Sequence, residues 1–183
     1  MGRREDLADA GIRLAARGGS RALTHRAVDQ EASVPPGSTS YYASTRRDLT
    51  ALVVDRITDQ LALDLSDVVL PTTPDDDAVV ALALGFLDRL AARADAQAAR
   101  LALLVDLRDD DLRATLTADD PARDALVAVA HTLLDAVGAA DVDRRAVDLV
   151  GLVDALLLYR VADVAPVDAR AVVAAFVAGL PRR

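Results

Sequence analysis

Leu23-Thr24-His25-Arg26-Ala27-Val28-Asp29-Gln30-Glu31-Ala32-Ser33-Val34-Pro35-Pro36-Gly37-Ser38-Thr39-Ser40-Tyr41-Tyr42 reads as two short helices joined by a tight turn. Thr24 suits the N-cap of the first, at about 25–31, because its hydroxyl can accept from first-turn amides. Pro35-Pro36-Gly37 makes the turn and opens the second, at about 36–42, since proline is tolerated in a first turn. That second helix carries three hydroxyl side chains in a row and ends in two tyrosines. A core helix would not spend Ser38, Thr39 and Ser40 consecutively, so this is a surface built to meet something. The arrangement has the form of a helix-turn-helix, whose second helix enters the major groove while the first crosses the backbone.

Working outward, apolar residues recur at three- and four-residue spacing and predict helix almost throughout. A first helix at about 3–17 presents Leu7, Ala10, Leu14 and Ala15, and Gly18-Gly19 stops it. Thr45 with Asp48 forms a capping box opening a long helix to about Leu65. Pro71 to Pro74 is a linker, after which Thr73 as N-cap and Pro74 at N1 start a helix at about 75–94. Helices follow at about 95–107 and 109–117. Asp119-Asp120-Pro121 opens another to about 137, ended by Gly138. The last two are expected at about 143–162 and 167–179. The first of them is apolar nearly all round, from Ala146 and Val147 to Leu157 and Leu158. Such a helix must be buried on several sides, either by a second subunit or as a central core helix.

Composition narrows the function classes. The 183 residues are 52% hydrophobic, which allows a substantial core in one domain or in a small and a larger one. There is no cysteine, and His25 and His131 are the only histidines, so disulfides, thiolate chemistry and a zinc site are not expected. The acidic runs Asp75-Asp76-Asp77 and Asp109-Asp110-Asp111 are better explained by a helix start and a solvated loop than by a cation. No metal and no cofactor is expected. No apolar run reaches the roughly 18 residues of a membrane span, and no apolar leader follows Met1, so a cytoplasmic location is expected. All 21 basic residues are arginine, a coding bias with no functional meaning. The net charge is −8, but residues 1–50 hold eight arginines against six acids, a net of +2. Only the front of the chain could approach a polyanion without strong repulsion. No Ser/His/Asp arrangement, phosphate loop or dinucleotide fingerprint is present, so no enzyme is expected.

Gly19, Thr24, Val28, Ala32, Val34, Gly37, Thr39, Tyr41, Tyr42, Thr45, Arg46 and Leu49 stand in the register of a known pattern. Over about residues 5–55 the chain resembles the tetracycline-repressor-like (TetR) family of regulators. The resemblance implies an all-α fold: an N-terminal three-helix helix-turn-helix domain, about 1–48, and a larger helical effector-binding and dimerisation domain, about 49–183. It also implies a dimeric four-helix bundle from the helices at about 143–162 and 167–179. Departures are Ser33 for the usual Gly, Ala43 for the usual Phe, Ser40 where Tyr is frequent, and Arg46 for Lys. Ala43 removes a large apolar anchor, which loosens the small domain or turns Tyr42 inward.

On this reading Pro36, Ser38, Thr39 and Tyr41 approach base edges or sugar, because hydroxyls can bond either kind of base and a threonine methyl can touch thymine. Thr24, His25, Arg26, Tyr42 and Arg46 are candidates for phosphate contact, which positions without specifying. The blander alternative is that one tyrosine is core and Thr24 only caps. Phe86, Arg89, Arg93, Arg100, His131, Tyr159 and Phe176 are the polar or aromatic exceptions on Ala/Leu-rich helices and candidates for an effector pocket. Each alone is more readily a core or surface residue. The expected function is a homodimeric, ligand-responsive DNA-binding regulator of a pseudo-palindromic operator, a repressor released by a small-molecule effector. The alternative is a helical small-molecule-binding or scaffolding protein that has lost DNA binding.

Overall fold

The structure, a computed structural model, describes residues 2–108, 110–117 and 121–183. Among these the chain forms ten helices and no strand; one isolated bridge pairs Ala139 with Arg182. They are α1 (Arg3–Ala22), α2 (His25–Glu31), α3 (Ser38–Tyr42), α4 (Arg46–Ser66), α5 (Asp76–Ala91), α6 (Ala94–Asp106), α7 (Asp110–Thr115), α8 (Pro121–Ala136), α9 (Val142–Val161) and α10 (Ala169–Ala178). The all-α expectation holds. No helix among the described residues is long and apolar enough to cross a membrane.

The capping signals behave largely as their chemistry dictates. Thr24 Oγ1 accepts from the amide of Ala27 at 3.2 Å. The Thr45 amide donates to Asp48 at 2.9 Å while the Asp48 amide donates to Thr45 Oγ1 at 3.1 Å, a reciprocal box. At α5 the expected cap is corrected: Asp75, not Thr73, accepts from the Ala78 amide at 2.8 Å. A carboxylate three residues before an open amide, over the positive end of the helix, outcompetes a threonine two positions earlier. Gly18 and Gly19 break α1 as expected, but a further turn continues to Ala22. The acidic run at 109–111 and the helix-opening pair at 119–120 fall partly or wholly outside the described residues.

Packing divides the chain into two compact units, residues 1–62 with 93–120, and 63–92 with 121–183. In the first, Leu7, Ala10, Val28, Ala43, Leu49 and Leu52 form one buried cluster under the short helices. A second cluster joins Ile12, Ala15, Val53, Ile57, Ala99 and Leu103 from α1, α4 and α6. Ala43 is 1% exposed, so the position usually held by a larger residue is closed by its neighbours. Tyr42 does not turn inward to replace it, being 40% exposed. The approach of α1 to α4 is set by Gly11, where a Cβ would fall well inside contact distance of the fully buried Val53 Cγ2. Beside this contact Arg56 holds Asp9 bidentately, Nε to Oδ1 at 2.7 Å and NH2 to Oδ2 at 3.1 Å. Both side chains are half-buried, so the pair is less screened than a surface one.

In the second unit α8 packs on α9, α5 on α9, and α10 on α5. Phe86, Leu87, Leu134, Leu157, Val173 and Val177 are among its buried side chains. Helix α9 is not buried all round. Ala146, Leu149, Val150, Val153, Leu156 and Leu157 face inward, whereas Val147 and Leu158 are 55% and 41% exposed.

Two stability predictions follow from the backbone. Gly11→Ala should destabilise by about 1–3 kcal/mol in chemical denaturation, because overpacking against Val53 exceeds the gain of about 1 kcal/mol in helix propensity. In a Val53→Ala background the same change should cost little, a coupling that a double-mutant cycle reads directly. Ser33 sits at φ +55 just after α2, where a side chain is strained. Ser33→Gly should therefore raise stability by up to about 1 kcal/mol.

Candidate functional site

The five-residue helix α3 is too short to hold itself in water. Its orientation comes from Asp29 on α2, which is 4% exposed. One carboxylate oxygen accepts from the Gly37 amide at 2.7 Å. The other accepts from the Thr39 amide at 2.7 Å and from Thr39 Oγ1 at 2.6 Å. Burial pushes the Asp29 carboxyl up, but the bonds from the Thr39 hydroxyl, the Thr39 amide and the Gly37 amide outweigh it, so its pKa lies below the ordinary value. Gly37 caps α3 at φ +91, a left-handed turn that a side chain would strain. The Val34 amide, donating to the Asp29 carbonyl at 2.9 Å, completes the turn.

This clamp corrects one sequence expectation. Thr39 is fully buried and its hydroxyl is committed to Asp29, so it cannot read a base edge. The hydroxyls of α3 are not one surface: Ser38 is half-buried and donates to the Pro35 carbonyl at 2.6 Å, while Ser40 is exposed. Tyr41 stands out at 84% exposure and meets Tyr42 edge to face, ring centroids 5.0 Å apart. Pro36, Thr24, Arg26 and Arg46 are exposed on the same unit. His25 is half-buried, with Nε2 2.7 Å from the Ala43 carbonyl oxygen. A carbonyl only accepts, so Nε2 carries the proton. Arg46 donates to the Ser20 carbonyl at 2.9 Å. Arg13 and Arg17 pair with Glu31, whose carboxyl they hold below its ordinary range, Arg13 foremost.

Asp29 was missed by sequence reasoning, and Ser40 was read as part of the hydroxyl surface without being singled out for contact. The legible signal for Asp29 was an acid beside Val28 on the inward side of α2, eight residues before a glycine turn. Nothing in the sequence separates Ser40 from Thr39 except the helical phase of a five-residue element.

The second unit contains a cleft of about 480 Å³, counted with its open mouth. Its wall takes Leu65 from the last turn of α4, Val68 from the following connection, Phe86 from α5, Leu133 from α8, and Val150 and Val153 from α9. All thirteen lining residues are aliphatic or Phe86. Of the effector candidates only Phe86 is among them. Arg89 instead donates to the Asp64 carbonyl at 2.9 Å and faces Asp67 at 3.4 Å. His131 lies 3.2 Å from Asp143. Tyr159 borders a separate cleft with Arg160 and Asp163. Arg93 and Arg100 belong to the first unit, bonded to the Gln60 carbonyl and to Gln97, and Phe176 is half-buried on α10. Long polar side chains on Ala/Leu-rich helices reach outward to carboxylates or carbonyls rather than into a dry cleft.

Comparison with known proteins gives a consistent answer. Residues 74–183 match the family described as "Tetracyclin repressor-like, C-terminal domain". Among curated proteins none matches the sequence. A transcriptional regulator from Rhodococcus sp. Rha1 superposes with TM-score 0.79 at 22% identity, over 97% of this chain and 95% of that one. A TetR-family member from Streptomyces coelicolor A3 is 26% identical, TM-score 0.69, over 96% and 98%. The multidrug binding protein EbrR, in complex with ethidium, is 26% identical, TM-score 0.65, over 96% and 98%. With more than half of its length matched to that domain, and a helix-turn-helix unit ahead of it, this chain belongs to the tetracycline-repressor-like (TetR) family of transcriptional regulators.

Proposed function

We propose that the protein is a homodimeric repressor that binds a pseudo-palindromic operator and leaves it when a small molecule enters the apolar cleft. The observation that carries this reading is the exposed face of a recognition helix held rigidly from behind: Tyr41 projects at 84% exposure while Asp29 pins the backbone beneath it. Base or sugar contact falls to Tyr41, Ser38 and Pro36, with Ser40 added and Thr39 withdrawn. Phosphate contact falls to Thr24, His25, Arg26, Tyr42 and Arg46. The functional division is 1–48 for DNA and 49–183 for effector and dimer.

Dimerisation is supported by the outward stripe of α9, where Val147, Gly151, Ala155 and Leu158 recur at helical spacing and are exposed in the single chain. Small residues there let a partner helix approach closely. Two recognition helices of such a dimer would meet successive major-groove faces about 34–36 Å apart. An effector role for the cleft is supported by the relative EbrR, which is named for binding drugs. Helix α4 begins with Arg46 in the first unit and carries Leu65, in its last turn, on the cleft of the second. A ligand that favours one setting of α4 would thus favour one spacing of the reading heads, through its differential affinity for the two states. The alternative of a fold that has lost DNA binding rests on Ala43, the small net charge of +2 over residues 1–50 and the acidic remainder of the chain; the closed packing around Ala43 weakens the first of these.

The reading is tested by fluorescence anisotropy with the DNA upstream of the protein's own gene, across a salt series. Absence of sequence-selective binding by a folded dimer would refute it. Tyr41→Ala should weaken operator binding by at least about tenfold with an unchanged melting temperature. Arg26→Ala should weaken all sequences alike and lower the salt slope by about one. Asp29→Asn should lower stability by about 1–3 kcal/mol at neutral pH, since a buried amide NH2 cannot replace an accepting oxygen. The sign with pH follows from the depressed carboxyl. Its stabilisation is fully present above the ordinary aspartate pKa and is lost as pH falls through the lower folded value. Wild type and Asp29→Asn should therefore converge in stability on acidification; a constant gap would show that the charge is not what matters.

A further inference from the structure

We propose that the ligand of the apolar cleft is an uncharged hydrophobic molecule, and that the cleft rejects anions and cations of the same shape. This rests on the preceding reading only in taking the cleft to be a ligand site. The wall presents thirteen side chains without one nitrogen, oxygen or sulfur among them. Twelve of these positions lie within helices α4, α5, α8 and α9, whose backbone groups are turned into their own ladders. The side chains therefore offer an entering charge no counter-ion or hydrogen bond, and the helical main chain offers none either; an unpaired charge in such a place is strongly disfavoured.

Several charged residues on these same helices are engaged elsewhere. Arg123 of α8 donates to Asp154 of α9 at 2.7 Å. His131 lies against Asp143, Arg160 against Asp88, and Arg89 against Asp67 and the Asp64 carbonyl. The one hydroxyl on the central stretch of α8, Thr132, donates to the Ala128 carbonyl at 2.9 Å. Recruiting any of them to a ligand would break an existing pair. Phe86, 7% exposed, adds an aromatic face that suits a flat or ringed molecule.

The test uses the full-length protein and the uncharged reporter N-phenyl-1-naphthylamine, whose fluorescence rises in apolar surroundings. Three competitors share one ring system: 1-methylnaphthalene, 1-naphthoate and 1-naphthylmethylammonium. The uncharged one should displace the reporter at a concentration at least about 30-fold lower than either charged one. Ala83→Phe, which fills the cleft, should reduce reporter binding more than about tenfold with an unchanged helical circular dichroism spectrum. Val129→Glu, or Leu126→Glu should the first not fold, should shift the preference toward the ammonium competitor. Equal displacement by a charged competitor, or reporter binding indifferent to Ala83→Phe, would overturn the proposal. Operator affinity is measured in parallel. Uncharged binding without any change in DNA affinity upholds the ligand class and refutes the regulatory reading. A charged competitor that enters the cleft and releases DNA does the reverse.

Discussion

One buried carboxylate decides whether this chain has a reading head at all. Asp29 is removed from water, which by itself favours its neutral form, and is then charged again by three donors from the turn and first residues of α3. A five-residue helix has at most one internal turn, so its direction is not a property of its own sequence. It is inherited from α2 through Asp29. That explains why a hydroxyl placed on the recognition helix is spent inward, and why only part of the Ser-Thr-Ser run faces solvent. Specific contacts need a rigid platform, and here the platform is polar, which makes its geometry directional where an apolar cluster would permit sliding.

The platform rests in turn on α1 and α4. Gly11 lets the Val53 side chain of α4 seat against the α1 backbone, and the Arg56–Asp9 pair fixes the axial register of the two helices on one side. Ala43 becomes intelligible in that setting. With Val28, Leu49 and Leu52 closing around it, the small domain is packed without a large residue at that position. The His25 ring, hydrogen-bonded to the Ala43 carbonyl, ties the start of α2 to the end of α3. The helix-turn-helix is thus bound at both ends of α2, by an imidazole and by a carboxylate.

Element positions were largely legible in the sequence because they depend on local chemistry. Thr24, the Thr45–Asp48 box and Gly138 act within a few residues, and the helices lie close to where those residues put them. The difference at α5 lies between two possible caps two residues apart, Thr73 and Asp75, of which the carboxylate over the positive helix end prevails. The site was less legible. Thr39 and Ser40 are chemically alike, and a register difference of one residue sends the first into the clamp and the second into solvent. The lining of the cleft was hidden for a more general reason. Polar and aromatic exceptions attract notice in an Ala/Leu-rich sequence, yet arginines there find carboxylates outside, and the wall is made of the unremarkable aliphatic majority. Helix α9 shows the same limit: its sequence is apolar nearly all round, and only the packing separates the face used by its own unit from the face left exposed.

An apolar cleft is sufficient to drive a switch of the proposed kind, and the magnitudes set how large its ligand must be. Moving a two-state equilibrium from about 1:99 to 99:1 takes about 5.5 kcal/mol of differential binding. At about 25 cal/mol per Å² this corresponds to roughly 220 Å² of apolar surface buried in one state and not in the other. A buried aromatic side chain covers about 150–250 Å², so one or two fused rings reach the requirement with no polar contact. A smaller ligand would shift the equilibrium only partway, however tightly it fitted, because contacts common to both states do no switching. The demand therefore falls on the part of the wall that can differ between states. Leu65 at the end of α4 and Val68 in the connection after it are the lining residues outside the packed body of α5, α8 and α9. On the proposed mechanism they are where a ligand's apolar surface is gained or lost.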